Sequence, residues 1–267
     1  MNERPIGVFD SGVGGLSVLQ AVRAELPHED LVYVADSGYA PYGDRPLQHV
    51  EDRAVAVVEF LVTRGVKAVV VACNTATGAA VHVIRARFSL PVVAIEPAVK
   101  PAAATTRSGV IGVLATTNTL SSQKFMDLVD RHGAGVQVLV QPCPGLAEQI
   151  ESGDLTSTAT RALVERFVRP LLDKGADTLV LGCTHYPFVR PLIEQASGPG
   201  VAIIDPATAV ARELRRRLAA ADLPAPLNRC GGEEFWTSGT ATAVERVIAH
   251  VWGHRVRVQE MPVSTRR

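Results

Sequence analysis

The sequence predicts an α/β fold of two pseudo-symmetric parallel-sheet domains facing each other across a central cleft. Three observations carry this. Apolar strand-like runs alternate with helix-period segments along the chain, the pattern of βα units that feed parallel sheets. The pattern restarts midway: Ile6-Gly-Val returns as Ile111-Gly-Val, 105 residues later. A strand ending at Cys73-Asn74-Thr75 returns as one ending at Cys183-Thr184-His185, 110 residues on, and Glu96-Pro97 returns as Asp205-Pro206, 109 residues on. Three landmarks at nearly one offset mark an internal duplication.

The elements follow in order. A first strand at Ile6–Asp10 stops at Asp10-Ser11-Gly12-Val13-Gly14-Gly15, and apolar residues at Leu16, Leu19, Val22 and Leu26 mark a helix that Pro27 closes. A second strand covers Asp30–Ala35, before a loop rich in turn formers through Pro41-Tyr42-Gly43-Asp44. A helix over Leu47–Arg64 presents Val50, Ala54, Val57, Val58 and Leu61 on one side. Ala68–Ala72 is a continuous apolar run, as expected of a parallel strand buried on both faces. A helix starts near Thr75, and Val92–Ile95 is a strand. The second half reads as a strand to Ala115-Thr116-Thr117, a helix at Ser122–His132, and a strand at Val136–Val140. Helices at Leu146–Glu151 and Thr158–Lys174 and a strand at Thr178–Leu181 follow. The tail holds a helix at Ala209–Ala220, a strand near Glu234–Thr237 and a helix at Ala243–Val251, and it matches neither repeat. It is expected to pack back on the first half. The domains are therefore residues 1–97 with 207–267, and residues 98–206.

Composition narrows the function classes. The 27 basic and 27 acidic residues cancel, so no basic field points to nucleic acid or an anionic membrane. Arg215, Arg216 and Arg217 read as the solvated face of a helix. No apolar run is long enough to span a bilayer, and Met-Asn-Glu-Arg-Pro leads into a strand without a signal-type apolar region, so a cytoplasmic location is expected. The four cysteines (Cys73, Cys143, Cys183 and Cys230) show no C-x-x-C spacing, which leaves free thiols as the expectation over zinc or disulfide.

In parallel sheets ligands bind beyond the carboxyl ends of the strands. Asp10-Ser11, Asp36, Cys73-Asn74-Thr75, Thr116-Thr117 and Cys183-Thr184-His185 all lie at such ends. Two facing domains bring both thiols to one ligand. Each thiol precedes a predicted helix, whose N-terminal amides favour thiolate. His185 is placed to pass protons or stabilise the Cys183 thiolate, and Asp10 to do the same for Cys73. One thiolate and one thiol on opposite faces of a carbon acid form a two-base system that inverts a stereocentre. Such chemistry needs no metal, nicotinamide or Schiff base. A lone cysteine ending an apolar strand is ordinarily a small core hydrophobe. Core packing, however, has no reason to repeat it at matched positions with hydroxyl groups following each time. Cys143 and Cys230 lack a partner and read as structural, and Asp36 and Glu96 as caps or turn residues.

Gly12-Val13-Gly14-Gly15 supplies part of a dinucleotide-binding fingerprint, with Asp36 as the ribose acid of a nicotinamide-dependent oxidoreductase. Ser17 at the third small position and Asp10 beside the pyrophosphate argue against it, and the paired cysteines stay unexplained. A two-domain amino-acid-binding protein is the non-enzymatic alternative, to which paired thiols bring nothing.

Four stretches, Gly7-Val-Phe-Asp10-Ser11-Gly-Val-Gly-Gly-Leu, Ala40-Pro41-Tyr42-Gly43, Ala72-Cys73-Asn74-Thr75-Ala and Leu181-Gly-Cys183-Thr184-His185-Tyr-Pro, together resemble the cofactor-independent glutamate racemases of the aspartate/glutamate racemase superfamily. His185 favours glutamate over aspartate as substrate, since the aspartate enzymes more often carry a carboxylate there. The resemblance implies that Cys73 acts on D-glutamate and Cys183 on L-glutamate, with Asp10 and His185 assisting. It implies a substrate pocket of Asp10, Ser11, Tyr42, Gly43, Asn74, Thr75, Thr184 and His185, with Thr116 to Thr119 added. A family acid near the second cysteine matches Glu151, although the surrounding run departs from the family pattern. No cofactor is implied. The implied role is D-glutamate supply for bacterial peptidoglycan, by a protein that is often a homodimer.

Overall fold

The computed structural model describes residues 2–262 and contains two parallel sheets. The first half runs β1 (Ile6–Asp10), α1 (Leu16–Glu25), β2 (Leu31–Ala35), α2 (Leu47–Thr63), β3 (Ala68–Val71), α3 (Asn74–Arg87) and β4 (Val92–Ala94). The second runs α4 (Val99–Thr105), β5 (Val110–Ala115), α5 (Thr117–Leu120), α6 (Gln123–His132), β6 (Gln137–Pro142), α7 (Leu146–Glu151), α8 (Thr158–Leu172) and β7 (Thr178–Leu181). A 3-10 turn at Tyr186–Val189, α9 (Arg190–Ser197) and β8 (Ala202–Ile204) complete it. The tail adds α10 (Ala207–Ala220), β9 (Glu233–Thr237), α11 (Ala241–Trp252) and β10 (Val258–Glu260).

The strand orders are β10-β9-β2-β1-β3-β4 and β6-β5-β7-β8. Without its two added strands, the first sheet repeats the second place for place: β1 matches β5, β3 matches β7, and β4 matches β8. These are the three strands whose sequences repeat. The recurring Ile-Gly-Val has a packing reason in both halves. A Cβ on Gly7 would lie 2.9 Å from a methyl of Leu61 on α2, and one on Gly112 would lie 2.7 Å from a methyl of Leu171 on α8. Both glycines let a helix approach the middle of its sheet.

Alternation along each strand divides the cores. On β1, Ile6 and Val8 face α1, α10 and α11, while Phe9 faces α2 and α3. On β3, Ala68 and Val70 take the first face and Val69 and Val71 the second, where Cys73 also packs. On β7, Leu179 and Leu181 face the α7–α9 layer together with Cys183, and Val180 faces α4 and α6. Burying one such aliphatic side chain contributes about 1.5–3 kcal/mol. The tail closes one edge of the first sheet, since β9 pairs in parallel with β2 from Glu233 opposite Leu31 to Thr237 opposite Ala35. Among the described residues no helix is long and apolar enough to cross a membrane.

Several elements lie outside the sequence reading: α4, α5, the 3-10 turn, α9 and β10. The 3-10 turn corrects one expectation. Cys183 does not pass directly into an α-helix, because Tyr186-Pro187-Phe188-Val189 forms a tight turn before α9.

Candidate active site

Both strand ends that carry thiols open onto one buried cavity. Its wall takes Ser11, Tyr42, Gly43, Cys73, Asn74 and Thr75 from the first half, and Thr116, Thr119, Cys183, Thr184 and His185 from the second. The free space inside is about 20 Å³.

Cys73 is the N-cap of α3, and its sulfur accepts the Ala76 amide at 3.4 Å and lies 3.8 Å from Ser11 Oγ. The helix-terminus geometry anticipated from sequence is therefore present at this thiol. It does not decide the ionisation, however. Burial pushes the Cys73 thiol well above the usual thiol range, the Asp10 carboxylate adds to this, and the Ala76 amide and Ser11 hydroxyl offset only part. The balance favours the neutral thiol at Cys73.

Cys183 has different surroundings. Its sulfur lies 3.7 Å from His185 Nδ1, and His185 Nε2 lies 2.7 Å from Glu151 Oε2. Burial alone would drive His185 towards the neutral ring, but its contacts with Cys183 and Glu151 win and hold its pKa well above the ordinary histidine value. Glu151 shows the complementary shift. Burial raises its pKa, while His185, the Val13 amide at 2.9 Å and the Ser37 hydroxyl at 3.0 Å together bring it below the usual range. The arrangement is that of an imidazole held between a carboxylate and a sulfur and favoured in its charged form.

Asp10 and Glu151 do not line the cavity and lie one layer behind it. Asp10 Oδ2 accepts the amides of Gly12 and Gly15 at 3.2 and 3.0 Å, and Oδ1 accepts the Thr184 hydroxyl at 3.3 Å. Burial still raises its pKa, against the pull of His185. The glycine-rich loop that suggested a dinucleotide site has its small residues for another reason. A Cβ on Gly12 would lie 2.3 Å from Glu151 Oε2, and one on Gly14 would lie 2.3 Å from His185 Nδ1. The space a pyrophosphate would need is filled by these two side chains, which corrects the oxidoreductase alternative.

The pocket wall has its own supports. Tyr42 donates its hydroxyl to Asp36 Oδ2, and Arg53 binds the same carboxylate at 2.7 and 3.0 Å while stacking 3.6 Å from the Tyr39 ring centroid. Asp36 thus acts as a structural anchor. The Thr75 hydroxyl meets those of Thr116 and Thr119 across the cleft at 2.9 and 3.3 Å, and these two lie 2.9 Å from each other. Both side-chain polar atoms of Asn74 are buried at the cavity without a partner. Buried amides are ordinarily paired, so Asn74 is free to take a ligand's polar groups. Sequence reasoning missed Ser37, Arg53 and Tyr33, whose hydroxyl donates to Gly12 O at 2.6 Å. Only the tertiary fold brings them to the site. Glu96, at the end of the first half, pairs with Lys124 at 2.6 Å. Cys143 is buried with its thiol pushed up to about 12 by burial, and Cys230 is exposed. Among the described residues no cluster of three or more His, Cys, Asp or Glu is arranged to hold a metal ion.

Residues 16–214 match the family model for Asp/Glu/hydantoin racemases. The glutamate racemase of Methylococcus capsulatus is 56% identical over 263 residues, covering 98% of this chain and 97% of that protein. The structure of the glutamate racemase isoform RacE1 of Bacillus anthracis superposes with a TM-score of 0.90 at 33% identity, covering 98% of this chain and 99% of that one. That of the Escherichia coli glutamate racemase, in complex with L-glutamate and the activator UDP-MurNAc-Ala, superposes with a TM-score of 0.84 at 30% identity over 96% and 97% of the two chains. The chain belongs to the Asp/Glu/hydantoin racemase family.

Proposed function

We propose that this protein is a glutamate racemase that inverts the α-carbon of free glutamate through Cys73 and Cys183, without a cofactor. The observation that carries the reading is the pair of thiols on one small cavity, one beside the Ser11 hydroxyl and one beside the His185 imidazole. The two thiols are prepared for opposite jobs. Cys183, as thiolate beside His185, takes the α-proton of L-glutamate. Cys73, as thiol, delivers a proton to the opposite face and leaves D-glutamate. The reverse reaction exchanges the roles. Asn74, with Thr75 and Thr184, supplies polar groups for the substrate carboxylates, and Ser11, Tyr42 and Gly43 shape the remaining wall. Asp10, set behind Cys73, makes a Cys73 thiolate costly in the closed form and so keeps its proton available for donation.

High identity to proteins named glutamate racemase supports glutamate as the substrate. Aspartate is the competing amino acid. The D-glutamate formed serves bacterial peptidoglycan synthesis, in the cytoplasm and from a homodimer in this reading. The test is incubation with pure L-glutamate in D2O, followed by circular dichroism and proton NMR. The expected result is loss of optical signal together with deuterium at the α-position of the product. Persistent optical activity, or racemised product free of deuterium, overturns the proposal. A parallel incubation with L-aspartate reads substrate choice.

A further inference from the structure

The closed cavity leaves about 20 Å³ free, room for about one water. Glutamate therefore enters and leaves by an opening of the wall. Pro41, Gly43, Thr116 and Ala147 line this cavity and also an outer one that includes Asp44 and Glu148. The partition between the two is the contact of Gly43 with Thr116, where a Cβ on the glycine would lie 3.1 Å from the threonine side chain. One side of the partition belongs to the loop after β2 and the other to the start of α5, so it closes only when the two halves meet.

Asn118 fastens that partition. Its backbone amide donates to Gly43 O at 3.2 Å, and its Nδ2 donates to Tyr42 O at 3.0 Å and Arg45 O at 2.8 Å. Both Nδ2 hydrogens are used. Donor and acceptors lie in different halves of the molecule. Further bonds between the halves, from Val13 and Ser37 to Glu151, from Thr184 to Asp10 and from Thr75 to Thr116 and Thr119, involve groups of the site itself, while Lys124 pairs with Glu96 outside both cavities. Asn118 lines neither cavity and touches none of the groups that move protons.

We infer that Asn118 is a positioning residue that locks the loop carrying Tyr42 and Gly43 over bound substrate, so that glutamate reacts before it escapes. The inference rests on the racemase reading and deepens it. Its bonds form only in the closed cleft, so their loss speeds substrate release and leaves the proton transfers intact.

The test compares wild type with Asn118→Ala and Asn118→Asp, both of which remove the Nδ2 donors and keep the backbone bond. The measured quantities are kcat, KM, the melting temperature, and the isotope effect on kcat/KM with α-deuterated L-glutamate. Loss of two neutral, partly exposed hydrogen bonds is expected to lower kcat/KM about tenfold. The change falls mainly on KM, and the isotope effect on kcat/KM rises because released substrate makes proton abstraction more rate-limiting. A folded variant with wild-type kcat/KM and isotope effect overturns the clasp. So does a fall in kcat with KM and isotope effect unchanged and a lowered melting temperature, which marks a merely structural residue. If wild type itself exchanges no α-proton, the racemase reading fails instead, so the two failures are distinguishable.

Discussion

Glu151 Oε2 lies 2.7 Å from His185 Nε2, and both side chains fill notches that only glycine leaves open, at Gly12 and Gly14. The acid comes from the end of α7 and the histidine from the turn after β7, yet both dock against a loop of the other sheet. The surroundings of Cys183 are thus assembled where the two halves meet.

In the proposed mechanism, replacing either thiol removes one of the two proton carriers. Cys73→Ala and Cys183→Ala are each expected to lose about 10²–10⁴-fold in kcat, the range associated with a positioned acid or base. Circular dichroism of the protein should be unchanged, since each substitution removes one sulfur from an otherwise packed wall. Near-normal turnover of L- and D-glutamate by either variant contradicts the two-base assignment.

Glu151→Gln removes the carboxylate that helps keep His185 charged. Its pKa then falls, and the alkaline limb of the activity profile moves to lower pH. Stability has a matching signature. His185 is raised above its ordinary 6.5, so its contribution is full below that pH and is lost as pH rises through the folded value. Glu151 is lowered below its ordinary 4.5, so its contribution is present above that pH and is lost as pH falls through the folded value. Urea denaturation across pH should show both slopes in wild type, with the Glu151 contribution to the lower one lost and the upper one diminished in the variant.

Gly14→Ala drives a methyl group into the His185 ring, where a Cβ would have 2.3 Å to Nδ1. The expected cost is about 1–3 kcal/mol of stability from overpacking. Activity should fall further than stability, because the ring that faces Cys183 is the group displaced. Wild-type kcat in this variant would argue that the present placement of His185 is not required.

Arg53→Met leaves the fully buried Asp36 carboxylate without its cation. Removal of one partner from a buried pair costs about 3–5 kcal/mol, and the 17% exposure of Arg53 places the expectation at the lower end. Asp36, the acceptor of Tyr42, also loses the cation that anchors it, so KM for glutamate should rise. A urea midpoint equal to wild type would contradict this account.

Thiol labelling follows burial. Cys230 is exposed, whereas Cys73, Cys143 and Cys183 are buried, and burial holds the Cys73 and Cys143 thiols up. Iodoacetamide at pH 8 should label Cys230 first, Cys73 and Cys183 more slowly as the cavity wall opens, and Cys143 only on unfolding, as read by mass spectrometry.

The sheet strands were legible because buried parallel strands are written as unbroken apolar runs, and the duplication gave each run a second reading. The elements that escaped are short or begin with a breaker. Pro101 lies in the first turn of α4, a position where proline is tolerated and where a sequence reading sees an interruption. β10 has three residues and exists as a partner for β9. At the site, the thiols and their flanking residues could be named from repetition. Glu151 and Asn118 could not be placed so, because their partners at Val13 and Tyr42 lie 138 and 76 residues away in the chain. The glycine loop was visible as a loop, but what fills its notches is a property of the other half.

The duplication is exact in strand order and broken in the surroundings of the two sulfurs, since Cys73 has an amide and a hydroxyl where Cys183 has an imidazole backed by a carboxylate. Mirror-image substrates have equal free energy in water, so thermodynamics fixes kcat/KM at one value for the two enantiomers. The unequal neighbourhoods can therefore appear only as a kcat and a KM that differ together, by one common factor, between L- and D-glutamate.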